Sequence, residues 1–392
     1  MKRIAIIGST GSIGVNALDV VRQMPGEFEV VALAAHSNVE LLARQARTFK
    51  PKAVSLFEPS AAARLKESLN GFCTHETPGT EGLVGIASRP DVDLILMSLV
   101  GGVGFTPLLA ALRSGKTVAL ANKEPMVMAG AQLMAEAKRC GASIVPVDSE
   151  PSAIFQCLQG GSDSTAALSG GLSRQIRKVF LTASGGAFYK HKGSLAKVTV
   201  AQALKHPTWK MGQKITIDCA TLMNKGFEAI EIMNLFGLTR DQVEIVIHPQ
   251  SIVHSAVEFT DGTVLAQMSL PDMRLPIQYA MTYPRRARSV VEPLDLVKLG
   301  ELTFKKPDFR RFPCLALARE AAKSPAMSAV LNAADEIAVT AFVEGRIPFT
   351  SIAKVIEKTM ALYRPAERLP DFDEVVEIDR WARTKAREFC GR

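Results

Sequence analysis

Short apolar runs alternate with amphipathic stretches over residues 1–150. Ile4–Ile7, Glu29–Ala34, Ala53–Leu56, Leu94–Ser98, Thr117–Leu120 and Ser143–Val147 are short apolar runs, which predicts strands. Between them, Ile13–Arg22 and Val39–Lys50 carry apolar residues at the three-to-four spacing of a helix. Such alternation predicts a mostly parallel, doubly wound α/β sheet. A second pattern starts near residue 175. Lys178–Thr182, Glu244–Ile247, Val253–Phe259 and Val264–Ser269 read as strands, and Thr260-Asp261-Gly262-Thr263 between the last two is a hairpin signal. Antiparallel pairing there predicts an α+β domain. Ala329–Glu344, Phe349–Leu362 and Glu374–Phe389 predict a helical bundle. The Gly/Ser-rich stretch Gln159–Ser173 reads as a surface loop, and 284–312, with Pro284, Pro293, Pro307 and many charges, as a linker. The expected organisation is an N-terminal domain over 1–150, a central α+β domain over 151–283, the linker over 284–312 and a helical domain over 313–392.

Composition narrows the class. A chain of 392 residues exceeds one ordinary core, and 47% hydrophobic with 22% charged residues is typical of a folded globular protein. No uninterrupted apolar stretch approaches the ~18 residues of a membrane span, and the run after Met1-Lys2-Arg3 ends at Gly8, too soon for a signal peptide. A cytoplasmic location is expected. The six cysteines form no CxxC pair, which argues against a zinc site or a disulfide framework. The net charge of +8 is dispersed among few aromatics, so nucleic acid is not an expected partner. Excess positive charge suits small ligands that carry phosphate.

Gly8-Ser9-Thr10-Gly11-Ser12-Ile13-Gly14 follows the first strand and opens a helix. Glycines there let the backbone approach a pyrophosphate, and the helix N-terminus supplies N–H groups and a positive dipole end. The bland reading is a tight strand-to-helix turn. The second strand leads into His36-Ser37-Asn38, where an NAD-binding domain places an acid for the ribose hydroxyl. Without an acid, these side chains suit a 2′-phosphate and so NADP(H), or else they cap the next helix.

Two further groups carry chemistry. Asp148 and Glu150 flank Ser149 at the end of the last predicted strand of the first domain. In an extended segment they project together, and two carboxylates with no lysine between them call for a hard divalent cation. Helix capping is the alternative. From Ala220 to Leu235 a helix is predicted, with Asn224 and Glu228 at i,i+4 and Lys225 at i,i+3 to Glu228. One turn then presents an amide, an ammonium and a carboxylate, a set suited to a metal-held phosphosugar, although Lys225 and Glu228 alone also read as a surface ion pair. Ser184-Gly185-Gly186 after a strand can donate to phosphate oxygens. The polar stretch Tyr189–Gln213 carries Trp209, which could close over a ligand or simply pack on the surface.

GSTGSIG at Gly8–Gly14, ALANKE at Ala119–Glu124, PVDSE at Pro146–Glu150, LTASGG at Leu181–Gly186, the His206–Glu231 segment, HPQSIVHS at His248–Ser255 and LPDMRLPIQYA at Leu270–Ala280 occur in this order. Together they resemble the 1-deoxy-D-xylulose 5-phosphate reductoisomerase family over nearly the whole chain. The resemblance implies a Rossmann-like NADPH-binding domain, a central catalytic domain with a flap near 186–213, a C-terminal helical bundle and a homodimer. It implies conversion of 1-deoxy-D-xylulose 5-phosphate to 2-C-methyl-D-erythritol 4-phosphate with NADPH, in non-mevalonate isoprenoid biosynthesis. Asp148, Glu150 and Glu228 would hold Mg²⁺, Mn²⁺ or Co²⁺. Lys123, Ser149, Glu150 and Asn224 would hold the oxygenated carbons, and Ser184, Asn224 and Lys225 the phosphate. His206 and Trp209 would sit on the flap. Gly8, Ser9, Thr10, Gly11, Ser12, Ile13, His36, Ser37, Asn38, Asn122, Glu124, Gly212 and Met273 would line the cofactor, with Pro271 near the nicotinamide.

Two positions depart from the family pattern. Pro151 stands where the family usually has His, and Cys219 where it has a Ser that contacts the substrate phosphate. Pro151 could serve as the first residue of a helix. A thiol is the poorer donor, so a raised substrate KM is expected. Two other readings stay open: an NADP-binding pseudoenzyme, and a dehydrogenase of another phosphorylated carbonyl. Turnover of 1-deoxyxylulose 5-phosphate with and without Mn²⁺ separates all three.

Overall fold

The structure is a computed structural model that describes residues 1–159 and 175–391. Apart from Gln159, the loop expected over Gln159–Ser173 lies outside the described residues. The elements run β1 (Lys2–Ile7), α1 (Ser12–Gln23), β2 (Phe28–Ala35), α2 (Val39–Phe49), β3 (Ala53–Leu56), α3 (Pro59–Leu69), β4 (Thr74–His75), α4 (Thr80–Ala87), β5 (Leu94–Met97), α5 (Phe105–Arg113), β6 (Thr117–Leu120), α6 (Glu124–Cys140), β7 (Ser143–Pro146) and α7 (Ser149–Leu158). There follow β8 (Ile176–Ala183), α8 (Val200–Ala203), α9 (Gln213–Thr221), α10 (Met223–Phe236), β9 (Val243–Ile247), β10 (Val253–Phe259), β11 (Val264–Met268), α11 (Arg274–Thr282), α12 (Leu296–Leu299), α13 (Pro313–Ala321), α14 (Pro325–Val343), α15 (Ser351–Leu362) and α16 (Phe372–Phe389).

The described residues divide into two compact units. The first comprises Met1–Asn122, Ala135–Ser152 and Asp272–Pro293; the second, Lys123–Met134, Ala153–Pro271 and Leu294–Arg392. This differs from the boundaries read from the sequence. Lys123–Met134 belongs with the second unit, and Asp272–Pro293 returns to the first. That return is anchored by Arg274, which pairs with Asp19 of α1 at 3.1 Å, and by Lys2, whose Nζ donates to the Met281 carbonyl at 2.8 Å.

In the first unit, among the described residues, seven parallel strands form one sheet in the order β4-β3-β2-β1-β5-β6-β7. The strands are nearly continuous apolar runs because a parallel sheet is covered on both faces. Strand order reverses between β1 and β5, so the ligand crevice of such a sheet lies beyond the ends of those two strands.

The second unit holds a four-stranded sheet, β11-β10-β8-β9, in which β10 runs antiparallel to β8 and β11. The C-terminal helices α13 to α16 pack on one another, and their core continues into the rest of the unit. Leu331, Ala334 and Val339 of α14 share one buried cluster with Ile217 of α9, Phe227 of α10 and Ala183 of β8. α14 buries residues around most of its circumference, so α9 covers it as well as α15 and α16. By length and composition α14 could cross a membrane, but 78% of its apolar window is buried within the protein, as in a core helix. The stretch expected to be a linker carries α12 and bridges β9, with Lys305 pairing to Ile247.

Candidate active site

In the first unit, β1 is followed by Gly8, whose φ of +98° only glycine adopts easily. A Cβ on Gly8 would lie 2.4 Å from the Ser98 carbonyl oxygen, and one on Gly14 would lie 2.4 Å from the Gly8 carbonyl oxygen. The loop is thus drawn tight against the strand ends. The first bond within α1 is Val15 N–H to the Gly11 carbonyl at 2.9 Å, which leaves the N–H groups of Ser12, Ile13 and Gly14 at the open, positive end of the helix. Thr10, Gly11, Ser12 and Ile13 are exposed or half-buried.

Ser9, also expected at the cofactor, faces inward. It is fully buried, and its N–H donates to the Ala34 carbonyl. Its hydroxyl donates to Gln45 Oε1 at 2.8 Å, and its carbonyl accepts from Gln45 Nε2 at 2.8 Å. Ser9 anchors the loop to α2. Gln45 and Ser98, which brace this loop, were not foreseen; a polar residue in the apolar stripe of α2 was the one available signal.

His36, Ser37 and Asn38 are exposed after β2. The His36 ring stacks on Phe57 with centroids 5.4 Å apart, and its Nδ1 lies 3.3 Å from Ser37 Oγ. Asn38 caps α2 by accepting from the Leu41 N–H at 3.1 Å. Asn122 is buried and donates to the Gly101 carbonyl at 3.3 Å, bracing the loop after β5. Met273 caps α11 and is half-buried.

Asp148 and Glu150 do not lie on an extended segment, because α7 begins at Ser149. They still come together: each offers a carboxylate oxygen, and these lie within 4.8 Å of one another. Asp148 Oδ1 accepts from the Ser149 N–H at 3.0 Å, and the Ser149 hydroxyl donates to Glu150 Oε2 at 2.6 Å. Pro151 is the third residue of α7, not the first, and is still within the turn that needs no intrahelical N–H bond.

In the second unit, the single helix predicted over 220–235 is two. Leu222 adopts the left-handed conformation (φ 61°, ψ 11°) and separates α9 from α10. Thr221 secures the break: its hydroxyl donates to the Asp218 carbonyl at 3.1 Å and accepts from the Met223 N–H at 3.2 Å. Asn224 and Lys225 therefore fall in the first turn of α10, the positive end of a new helix, where an anion is favoured. Glu228 sits one turn on and is 1% exposed. Its Oε1 accepts from Lys123 Nζ at 3.1 Å and from Asn224 Nδ2 at 2.6 Å, and its Oε2 pairs with Lys225 Nζ. Lys123 Nζ also donates to Asn224 Oδ1 at 2.7 Å. The Lys225–Glu228 pair is buried, which excludes its reading as a surface ion pair.

Ser184 follows β8. Gly186 N–H donates to its Oγ at 3.2 Å, and His206 Nε2 lies 2.8 Å from the same oxygen. His206 Nδ1 accepts from the Thr208 and Trp209 N–H groups at 3.2 and 2.9 Å. The ring proton therefore sits on Nε2 and points at Ser184, which leaves the serine hydrogen available for another oxygen. Burial, with the charge of Lys225, lowers the His206 pKa to about 4, so the ring is neutral at pH 7. Trp209 lies against His254, ring centroids 6.2 Å apart. Cys219 is on α9, and burial holds its thiol protonated at neutral pH. Gly212 is exposed and caps α9. Glu124, expected at the cofactor, is buried in the first turn of α6 with its carboxylate 3.7 Å from Lys214.

Profiles described as 1-deoxy-D-xylulose 5-phosphate reductoisomerase match residues 4–130, and those for its C-terminal domains match 144–236 and 268–385. The 1-deoxy-D-xylulose 5-phosphate reductoisomerase of Elusimicrobium minutum is 51% identical over 99% of this chain and 97% of its own. The chain belongs to the 1-deoxy-D-xylulose 5-phosphate reductoisomerase family. The enzyme of that name from Trichlorobacter lovleyi is 48% identical over 100% of this chain and 98% of its own. A crystal structure of DOX-P reductoisomerase in complex with NADPH, fosmidomycin and magnesium is 40% identical, with a TM-score of 0.93, and covers 100% of this chain and 98% of its own. The reductoisomerase from Zymomonas mobilis in complex with NADPH is 39% identical, with a TM-score of 0.89, covering 100% and 99%. This chain combines the Lys123–Asn224–Lys225–Glu228 cluster with Pro151 and Cys219.

Proposed function

We propose that this chain rearranges 1-deoxy-D-xylulose 5-phosphate and reduces the product to 2-C-methyl-D-erythritol 4-phosphate with NADPH and a divalent metal. The observation that carries this reading is the buried cluster of Lys123, Asn224, Lys225 and Glu228 at the start of α10, in a chain that follows the family end to end.

The residues fit both bound groups. The tight Gly8–Gly14 loop and the open end of α1 suit a pyrophosphate, and exposed His36 and Ser37, with no acid beside them, suit the 2′-phosphate of NADPH. Asp148 and Glu150 bring two hard oxygens together, and Glu228 is the third carboxylate of the proposed set, a donor type that suits Mg²⁺ or Mn²⁺. When bound, the metal supplies Lewis acidity toward the ketone and its neighbouring hydroxyl, and NADPH supplies hydride.

The chain's own groups do the rest. Lys123 donates to the oxygens on which charge develops, and the Asn224 amide orients them. The Ser184 hydroxyl and the Lys225 ammonium, at the positive end of α10, hold the phosphate. Anchoring that remote group aligns the reacting carbons. Neutral His206 keeps Ser184 turned toward the phosphate, and Trp209, on the 186–213 segment, shields the site from water. Cys219 remains a neutral thiol, so it does not repel the phosphate, but it donates weakly.

We also place the protein in the cytoplasm, in keeping with its six free cysteines. We assign it a homodimer formed along β11, an edge strand whose Val264 and Leu265 are 51% and 38% exposed. NADPH oxidation with 1-deoxyxylulose 5-phosphate, with and without Mn²⁺, tests the function. Absence of metal-dependent turnover in protein that binds NADPH tightly would overturn it and favour a pseudoenzyme.

A further inference from the structure

Lys214 is a largely buried cation, its side chain 14% exposed, outside the ligand-binding roles above. Its Nζ lies 2.6 Å from Asp218 Oδ2 on α9, 3.1 Å from Asp335 Oδ2 on α14 and 3.7 Å from Glu124 Oε1 on α6. It also stands 4.9 Å from the centre of the Phe227 ring. The side chains of Asp218 and Asp335 are 3% and 0% exposed. An ammonium in the first turn of a helix opposes the helix dipole, and burial opposes its charge. The carboxylates outweigh both, so the lysine is held protonated. Burial, reinforced by Asp218, pushes the Asp335 carboxyl well above the usual range.

The place of this cluster matters more than its strength. Both ends of the 186–213 segment are seated on α9. At one end Gly186, with φ +66°, packs so closely that a Cβ would lie 2.2 Å from the Cys219 carbonyl oxygen. At the other, the Gly212 carbonyl accepts from Thr216 N–H at 3.1 Å and Thr216 Oγ1 at 2.8 Å. Cys219 is on the same helix, and Glu124 is the neighbour of Lys123. Apolar residues of similar volume would hold α9 with comparable stability. Directional ammonium–carboxylate bonds additionally fix its rotation and its position along its axis.

We infer that Lys214 is a positioning residue: by tying α9 to α14 and to the start of α6, it fixes the helix on which both ends of the 186–213 segment rest, and so sets affinity for the substrate phosphate. This rests on the proposed function. The test uses the full-length protein carrying Trp381→Phe, so that Trp209 is the sole tryptophan. Its emission is followed while fosmidomycin is added at saturating NADPH and Mn²⁺.

Lys214→Met is expected to raise the half-saturating fosmidomycin concentration by about tenfold, a change of about 1.4 kcal/mol. Substrate KM should rise in parallel, with kcat and NADPH affinity nearly unchanged. An unchanged half-saturation overturns the inference. An equal loss of NADPH affinity also overturns it, because that pattern is general loosening. If Lys214→Met does not fold, Asp335→Asn, which weakens the tie of Lys214 to α14, must still raise the value by about threefold, or the inference is wrong. A parent protein that does not respond to fosmidomycin at all overturns the proposed function instead.

Discussion

Replacing Glu228 with Gln separates the two jobs proposed for one carboxylate. In the fold, Glu228 is 1% exposed and is the shared counter-charge of Lys123 and Lys225, whose side chains are 6% and 5% exposed. The amide keeps the shape but removes the charge, leaving two ammonium groups facing each other in the protein interior. Removing one partner of a buried pair costs about 3–5 kcal/mol. Part of that is recovered if one lysine gives up its proton. Against a typical total stability of about 5–15 kcal/mol this is a large loss, on the order of 10 °C in Tm. In the proposed site the same change deletes one of three anionic ligands and the partner that aims Lys123. Losing one such electrostatic element lowers kcat by about 10²–10³-fold. The assay is NADPH oxidation titrated with Mn²⁺, alongside thermal unfolding and NADPH binding. The expected result is turnover lost or shifted to far higher Mn²⁺, a lower Tm and unchanged NADPH affinity. Wild-type kcat/KM at wild-type Mn²⁺ would refute Glu228 as a ligand. An unchanged Tm would refute its role as the counter-charge of the two lysines.

Cys219→Ser should lower substrate KM several-fold, since a restored hydroxyl bond is worth about 0.5–1.5 kcal/mol; steady-state kinetics with a higher KM would count against its contact with the phosphate. Gly130→Ala should destabilise by about 1–3 kcal/mol, because the new methyl carbon would lie 2.5 Å from the Asn234 side chain, and denaturant unfolding measures it. Adding Asn234→Ala should recover part of that loss, which a wrong account of the clash would not reproduce. The His206 pKa is lowered from 6.5 to about 4, so the unfolded chain binds the extra proton first. Its stabilising contribution is present above pH 6.5 and is lost as the pH falls toward 4. His206→Asn should flatten stability against pH in that window, and an unaltered profile would contradict the neutral, Ser184-facing ring.

The parallel sheet was legible because its strands are buried on both faces and therefore appear as unbroken apolar runs. β4 was missed: Thr74-His75 is two residues long and carries no period. The break at Leu222 was also invisible, because Ala220-Thr221-Leu222-Met223 continues a helical pattern without a glycine or proline. One residue in a left-handed conformation, secured by a threonine side chain, decides it. That local event has a chemical consequence, since it turns Asn224 and Lys225 from mid-helix residues into the first turn of α10.

Burial was the other quantity that local pattern could not supply. Lys225 and Glu228 at i,i+3 read equally well as a solvated surface pair, and Lys214 and Asp218 at i,i+4 as another. The first pair is buried and the second largely so because α9 and α10 share a core with α14, and that core depends on residues more than a hundred positions away. The signal that was present lay on the other partner: Asp335 is an acid inside Ala333–Val339, an otherwise mostly apolar stretch of α14. A carboxyl group in such a stretch needs a proton or a cation to face it, and a cation must come from elsewhere in the chain. The same logic links stability to chemistry here. Glu228 faces both Lys123 and Lys225 in the interior, so the free protein already gathers on one carboxylate the two lysines that the proposed mechanism turns toward an anionic substrate.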